Sequence, residues 1–135
     1  MCRFEISIND ECTVKEIQYE FSKNYQYLKI EFYRKATEEN SPFGFADAIP
    51  GTMSLQFIRS NHRAGKIVIE PHRKVSHLKQ ILNDEFGLNS MIFRKAGSLW
   101  IETSLTNDWT LEKQNRAAFE ISRLPVRTPL NMTTA

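Results

Sequence analysis

The chain has 135 residues, of which 41% are hydrophobic and 25% charged, with a formal net charge of +2. That length is most economically one domain, able to bury roughly two thirds of its unfolded surface without disulfide or metal staples. No apolar run approaches the roughly 18 residues that cross a membrane, and Met1-Cys2-Arg3-Phe4-Glu5 lacks the apolar core of a secretory signal.

The first expected strand is Phe4–Ile8, where Phe4, Ile6 and Ile8 alternate with polar residues. Cys2 and Cys12 flank it at opposite ends. Eight extended residues span roughly 25 Å, too far for a disulfide, and two unpaired thiols fit a reducing cytosol. Thr13-Val14-Lys15-Glu16 has the form of a capping box, and Val14, Ile17, Phe21 and Tyr25 then recur at helical spacing. Leu28, Ile30 and Phe32 alternate with Lys29 and Glu31, which predicts a second strand.

From Lys35 to Gly51 the pattern breaks. Phe43, Phe45 and Ile49 stand inside loop chemistry and are read first as a lid over one end of the core, second as a contact patch. Met53–Arg59 fits either a short helix or a strand, with the helix preferred. Lys66–Glu70 is the next strand, stopped by Pro71, which cannot donate to a ladder.

A second helix is predicted over Val75–Phe86, with Ser76 as its N-cap, Val75, Leu78, Ile81, Leu82 and Phe86 as its stripe, and Gly87 as a left-handed C-cap. Ser90–Lys95 and Leu99–Thr103 form a hairpin around Gly97, with Met91 and Phe93 facing one way and Ile92 and Arg94 the other. Asp108 or Thr110 caps a third helix whose inner face is Leu111, Ala118 and Ile121. Residues 124–135 are expected to be a flexible tail after a domain of residues 1–123.

Two stretches echo each other. Val14/Val75, Ile17/Leu78, Phe21/Leu82 and Tyr25/Phe86 are each 61 positions apart, and Phe32/Ile92 and Tyr33/Phe93 are 60 apart. Each helix is preceded by a strand, so the chain reads as a β-α-β unit used twice, in halves 1–51 and 52–123. The expected fold is α+β: a ferredoxin-like antiparallel sheet with helices on one face, plus a C-terminal helix. The alternative is a ubiquitin-like β-grasp, whose order the second half shares until Thr110-Leu111, where a last strand is due and the sequence turns helical.

Thr13-Val14-Lys15-Glu16-Ile17, Phe86-Gly87-Leu88, Phe45-Ala46-Asp47 and Ile58-Arg59 resemble a diffuse group of small uncharacterised bacterial proteins with such a duplicated strand-helix-strand unit. The resemblance covers about residues 13–115. Its motifs are structural and imply no activity.

Charge is uneven. Residues 1–56 carry a net −3, residues 57–81 a net +5, and residues 82–135 a net charge of zero. Arg59, Arg63, Lys66, Arg73, Lys74 and Lys79 fall within 21 residues, interleaved with His62, His72 and His77. Such density suits phosphate neutralisation, though a charge run is more often a solvated face. The histidine spacing fits no metal motif, and no nucleophile motif, phosphate loop or paired carboxylates occur, so neither catalysis nor a cofactor is expected.

Trp100 sits where alternation leaves one side of Leu99-Trp100-Ile101 facing out, and with Tyr33, Ile92 and Val68 it is expected to form a semi-apolar sheet face, covered in part by the third helix or by a second subunit. The resulting expectation is a non-catalytic cytoplasmic protein-interaction module whose partner is another protein or a second copy, with no membrane role. RNA or DNA binding through residues 59–79 is the alternative. The candidate contact residues are Arg59, Arg63, Lys66, His72, Arg73, Lys74, Lys79, Phe43, Phe45 and Trp100.

Overall fold

The computed structural model describes residues 3–34 and 47–124. The elements run β1 (Phe4–Ile8), α1 (Val14–Asn24), β2 (Leu28–Tyr33), a single 3-10 turn (Leu55–Phe57), β3 (Gly65–Ile69), α2 (Val75–Phe86), β4 (Asn89–Ala96), β5 (Leu99–Glu102), a second 3-10 turn (Ser104–Thr106) and α3 (Leu111–Ser122). The protein is α+β, with antiparallel sheets and helices packed against them, consistent with a ferredoxin-like arrangement. Its strands are divided between two sheets, β1–β3 and β2–β4–β5, where a single sheet was expected.

The two sheets share one core. Ile6 pairs with Ile67 across β1–β3, and Ile30 pairs with Ile92 across β2–β4. Ile6, Ile67 and Ile30 border one small apolar void together with Ile17 and Phe21 of α1 and Leu78 and Leu82 of α2. Alternation explains why the strands present these residues inward. Leu28, Ile30 and Phe32 are buried, while Lys29, Glu31 and Tyr33 point the other way. On β4 Ile92 and Arg94 face opposite to Met91 and Phe93, as the sequence predicts, and the structure makes Ser90, Ile92 and Arg94 the inward row and Asn89, Met91 and Phe93 the outward one.

α1 lies against β1 and β2, α2 against β4, and α3 against β4 and β2. Glu16 reaches back to accept from the Thr13 N–H at 3.4 Å, and Gly87 ends α2 at φ 67°. α2 departs from expectation at its start. Ser76 is not its cap: the helix begins at Val75, with Lys74 in the cap position and no side-chain hydrogen bond there.

Backbone replaces the missing cap. The Val75 N–H donates to the Trp109 carbonyl at 3.0 Å and the Ser76 N–H to Asn107 at 2.7 Å, so a returning segment takes the donors a helix start leaves unpaired. The same segment donates back, from Leu111 to Arg73 and from Glu112 to Pro71, both at 3.0 Å. The start of α1 carries a matching set. Val14 donates to Met53 (3.0 Å), Lys15 to Gly51 (2.9 Å), Leu55 to Cys12 (2.9 Å) and Gln56 to Asp10 (3.3 Å). Between the sets the helix-start residues differ by 61 positions and the returning residues by 56.

This explains the ambiguity at Met53–Arg59. The stretch first runs as an isolated antiparallel bridge, Thr13 with Ser54, and only then makes its short turn of helix. The later counterpart bridges Lys74 with Thr110 and continues into the three turns of α3, capped by Thr110 Oγ1 accepting from the Lys113 N–H at 3.1 Å. Leu111 and Ala118 are buried as expected, but Ile121 is exposed, and the third inward residue is Gln114.

Tyr25 closes α1 fully buried, with its ring tilted against Phe4 and Phe21. Its hydroxyl has no protein hydrogen-bond partner among the described residues. Burial, with the Glu112 carboxylate adding to it, pushes its pKa up to about 12. A phenylalanine occupies the matching position 86. Tyr25→Phe should therefore fold normally and gain about 1 kcal/mol, since it removes a buried polar atom that bonds to no protein group. A urea midpoint lower than that of the wild type would contradict this.

Candidate functional site

The outward rows of β2, β4 and β5 form the surface richest in chemistry. Register places Lys29 beside Phe93, Phe93 beside Glu102, and Lys95 beside Trp100. The Lys29 ammonium lies 5.2 Å from the Phe93 ring centroid and 5.0 Å from that of Trp100, and Lys95 lies 5.8 Å from Trp100. Lys29 also pairs with Glu31 at 3.5 Å. Partial burial, then the Glu31 and Glu102 carboxylates, raise the Tyr33 phenol above its ordinary value, so it stays a neutral donor.

β5 is the outer strand of this sheet, and all four of its residues are exposed: Leu99 at 69%, Trp100 at 38% and Ile101 at 42%, with Glu102. The grouping of Trp100 with Tyr33, Ile92 and Val68 holds only for Tyr33. Ile92 points inward and is fully buried, and Val68 belongs to the other sheet. Nor does α3 cover Trp100. It meets the sheet on the inner row, where Gln114 Oε1 accepts from Arg94 Nη1 at 2.8 Å, and at Tyr27, whose ring meets that of Phe119. Arg94 spans this junction with its guanidinium 5.4 Å from the Trp109 ring.

The basic section does not gather into one patch. Arg59 leaves the surface altogether: its side chain is 0% exposed. Its Nε and Nη2 donate to Asp10 Oδ1 at 3.2 and 2.9 Å, and its Nη1 donates to the Phe86 carbonyl at the end of α2 at 3.1 Å. His62 Nδ1 lies 2.8 Å from the other Asp10 oxygen. Partial burial works to raise the Asp10 carboxyl, but the hydrogen bonds and charges of Arg59 and His62 outweigh it and hold it below the ordinary 3.8.

The other cations are divided. Arg63 and Lys66 lie at the start of β3, and His72, Arg73 and Lys74 beyond its far end. A strand of that length spans about 16 Å. Lys66 has Glu5 at 4.0 Å, Arg73 is half-buried and bonded to His77 at 3.1 Å, and Lys79 is half-buried against the Met91 sulfur at 3.7 Å. Arg63, His72 and Lys74 are exposed.

Phe43 and Phe45 lie outside the described residues. Ile49 is buried and its N–H donates to the Phe32 carbonyl at 2.7 Å, next to a bridge between Ala48 and Tyr33. Cys12 is a free thiol that donates to the Ser7 carbonyl at 3.5 Å, in a cleft between β1 and α1 also lined by Glu5, Glu16 and Glu20. Among the described residues no cation lines that cleft. Among the described residues no group of three His, Cys, Asp or Glu side chains is arranged to hold a metal ion, and no helix is long and apolar enough to cross a membrane.

Sequence reasoning did not name Lys29, Phe93, Leu99 and Ile101 among the contact residues. One signal was present: Leu99-Trp100-Ile101 is apolar without alternation, and a strand that is not enclosed on both faces then exposes some of those side chains. Compared with protein-family models, curated proteins and solved structures, the chain matches none.

Proposed function

We propose that this protein is a non-catalytic interaction module, built from two copies of one strand-helix-strand unit, that meets a protein partner through the outward side of the β2–β4–β5 sheet. One observation carries the reading. The inward side of that sheet is filled by the core and the three helices, while the outward side presents Tyr33, Phe93 and Trp100 among Lys29, Lys95, Glu31 and Glu102. Aromatic rings with mixed charges around them suit the centre and rim of a protein contact. The matched backbone hydrogen bonds at the starts of α1 and α2 support the duplication, and the β4–β5 hairpin is what the second copy adds to the described part of the first. The free Cys12 thiol suits a reducing cytosol as the place of action.

The test is a comparison of wild type with Phe93→Glu/Trp100→Glu. Both side chains point away from the core, so the double variant should keep its circular dichroism spectrum and lose what the wild type retains in affinity capture. Identical captured sets from the two proteins would overturn the assignment of this face.

A second reading, nucleic-acid binding, draws on the exposed Arg63, His72 and Lys74, for which no carboxylate partner is found among the described residues. It predicts retention on heparin that falls with salt and is lost in Arg73→Glu/Lys74→Glu. Unchanged nucleic-acid binding in that variant removes the reading.

A further inference from the structure

The open edge of β5 carries a pairing pattern of its own. The β4–β5 hairpin has a two-residue loop, Gly97-Ser98, with Gly97 at φ 64° and Ala96 opposite Leu99. In such a hairpin the residues flanking the loop exchange backbone hydrogen bonds, and the phase then alternates along the ladder. Two further bonds fix the same phase. The Lys95 N–H donates away from β5, to the Tyr27 carbonyl at 2.8 Å, while the Ile92 carbonyl accepts from the Thr103 N–H at 3.1 Å. Leu99 and Ile101 therefore spend their backbone groups on β4. Trp100 and Glu102, opposite Lys95 and Phe93, direct theirs to the open edge.

We infer that this edge pairs with the same edge of a second copy, two-fold about Ile101, joining two three-stranded sheets into one of six strands. The inference rests on the interaction-module reading and names its partner. Side chains facing each other across antiparallel strands must lie on the same side of the sheet, so a self-pairing register can be centred only on a residue. Centring on Ile101 sets Trp100 against the partner's Glu102 and Glu102 against the partner's Trp100, and both outward-directed backbone groups of each are used. Centring on Trp100 would instead bring Ser98, a residue of the turn, into the ladder.

The same register is complementary in charge. On the outward face it produces the row Lys95, Trp100, the partner's Glu102, so each indole lies between a cation and an anion. On the inward side Ile101 covers the partner's Ile101, and Leu99 reaches the end of the partner's β5. β5 is short, four residues ending in the charged Glu102, but it contains no proline, lysine or bulge, and no element covers it among the described residues. A different strand from another protein would satisfy the backbone but would not supply the paired Trp100 and Glu102.

The test uses Ile101→Cys in a chain whose own cysteines are changed to serine (Cys2→Ser, Cys12→Ser). The opposed residues of a non-hydrogen-bonded antiparallel pair have Cα atoms about 4.5 Å apart, within the disulfide range. Mild oxidation should give a disulfide-linked dimer at far higher yield than Tyr19→Cys, which is also exposed but lies on α1. Light scattering of the wild type should read twice the chain mass of 15.8 kDa, falling to the chain mass in Ile101→Lys. A strict monomer from micromolar to sub-millimolar concentration, or equal cross-linking through Tyr19→Cys, overturns the inference. A monomer that still loses its captured partner in Phe93→Glu/Trp100→Glu leaves the interaction module standing and removes only the self-pairing.

Discussion

Leu111→Ala and Leu55→Ala should each lower the free energy of unfolding by about 2–4 kcal/mol, the loss expected when a buried leucine is truncated in a core that only partly relaxes. Both residues are fully buried, and each stands at the step where a returning segment crosses a helix start. Their surroundings differ: Leu111 begins a helix of three turns, while Leu55 sits in one 3-10 turn. Comparable losses would mean that the two positions do the same structural work despite that difference, as equivalent positions of a duplicated unit should. Urea unfolding measures both. A loss below about 1 kcal/mol at either would show that its segment is not part of the core.

Arg59→Ala should cost about 2–3 kcal/mol, the range for hydrogen bonds made by a charged group that is buried when its partners are left. The guanidinium ties three separate elements: the loop after β1 through Asp10, the segment after the 3-10 turn, and the C-terminus of α2 through the Phe86 carbonyl. A cation there also complements the negative end of the helix. The pH dependence separates the two roles. Because Asp10 is held below its ordinary value in the folded state, its contribution is present above pH 3.8 and is lost as pH falls through the lower folded value. The gap between wild type and Arg59→Ala should therefore narrow in strong acid without closing, since the bond to the Phe86 carbonyl does not titrate. A gap of constant size down to the acid transition would show that Asp10 takes no part.

A similar tie of different chemistry holds the end of α1. Asn115 Oδ1 accepts from the Tyr27 N–H at 3.0 Å, just past the end of α1, as Arg59 reaches the end of α2. Asn115 and Arg59 are 56 positions apart, the offset of the returning segments. The segment that crosses the start of α1 thus leads to Arg59, which holds the end of α2, and the one that crosses the start of α2 leads to Asn115, which holds the end of α1. Neither tie was legible beforehand. Arg59 read as one cation among six because its neighbours in sequence are basic, and the acid that takes it inside is 49 positions away.

Much of the fold was legible because it depends on near neighbours. Alternation at Phe4–Ile8 and Leu28–Tyr33, the 3.6-residue stripe of Val75–Phe86, Gly87 at positive φ and the Gly97 turn are each set by a few adjacent side chains. The candidate site was legible only in part. Trp100 was singled out correctly as an outward residue, but its neighbours were misjudged, because alternation states that a residue points to one of two faces and not which strand lies beside it.

By itself, then, the sequence determined the type and order of most elements, the two alternating rows of most strands and the equal spacing of apolar residues in Val14–Tyr25 and Val75–Phe86, all of which follow from local sterics and hydrophobic period. Only the tertiary structure decided which strands pair, that they form two sheets over one core, that backbone from a distant segment and not Ser76 closes the start of α2, that Arg59 is interior, and that β5 ends its sheet with Trp100 and Glu102 turned to the open edge. The physical reason is the same in each case. A backbone N–H or a buried charge must find a partner, and any segment brought close by burial of the core can supply it, at a separation along the chain that no local pattern records.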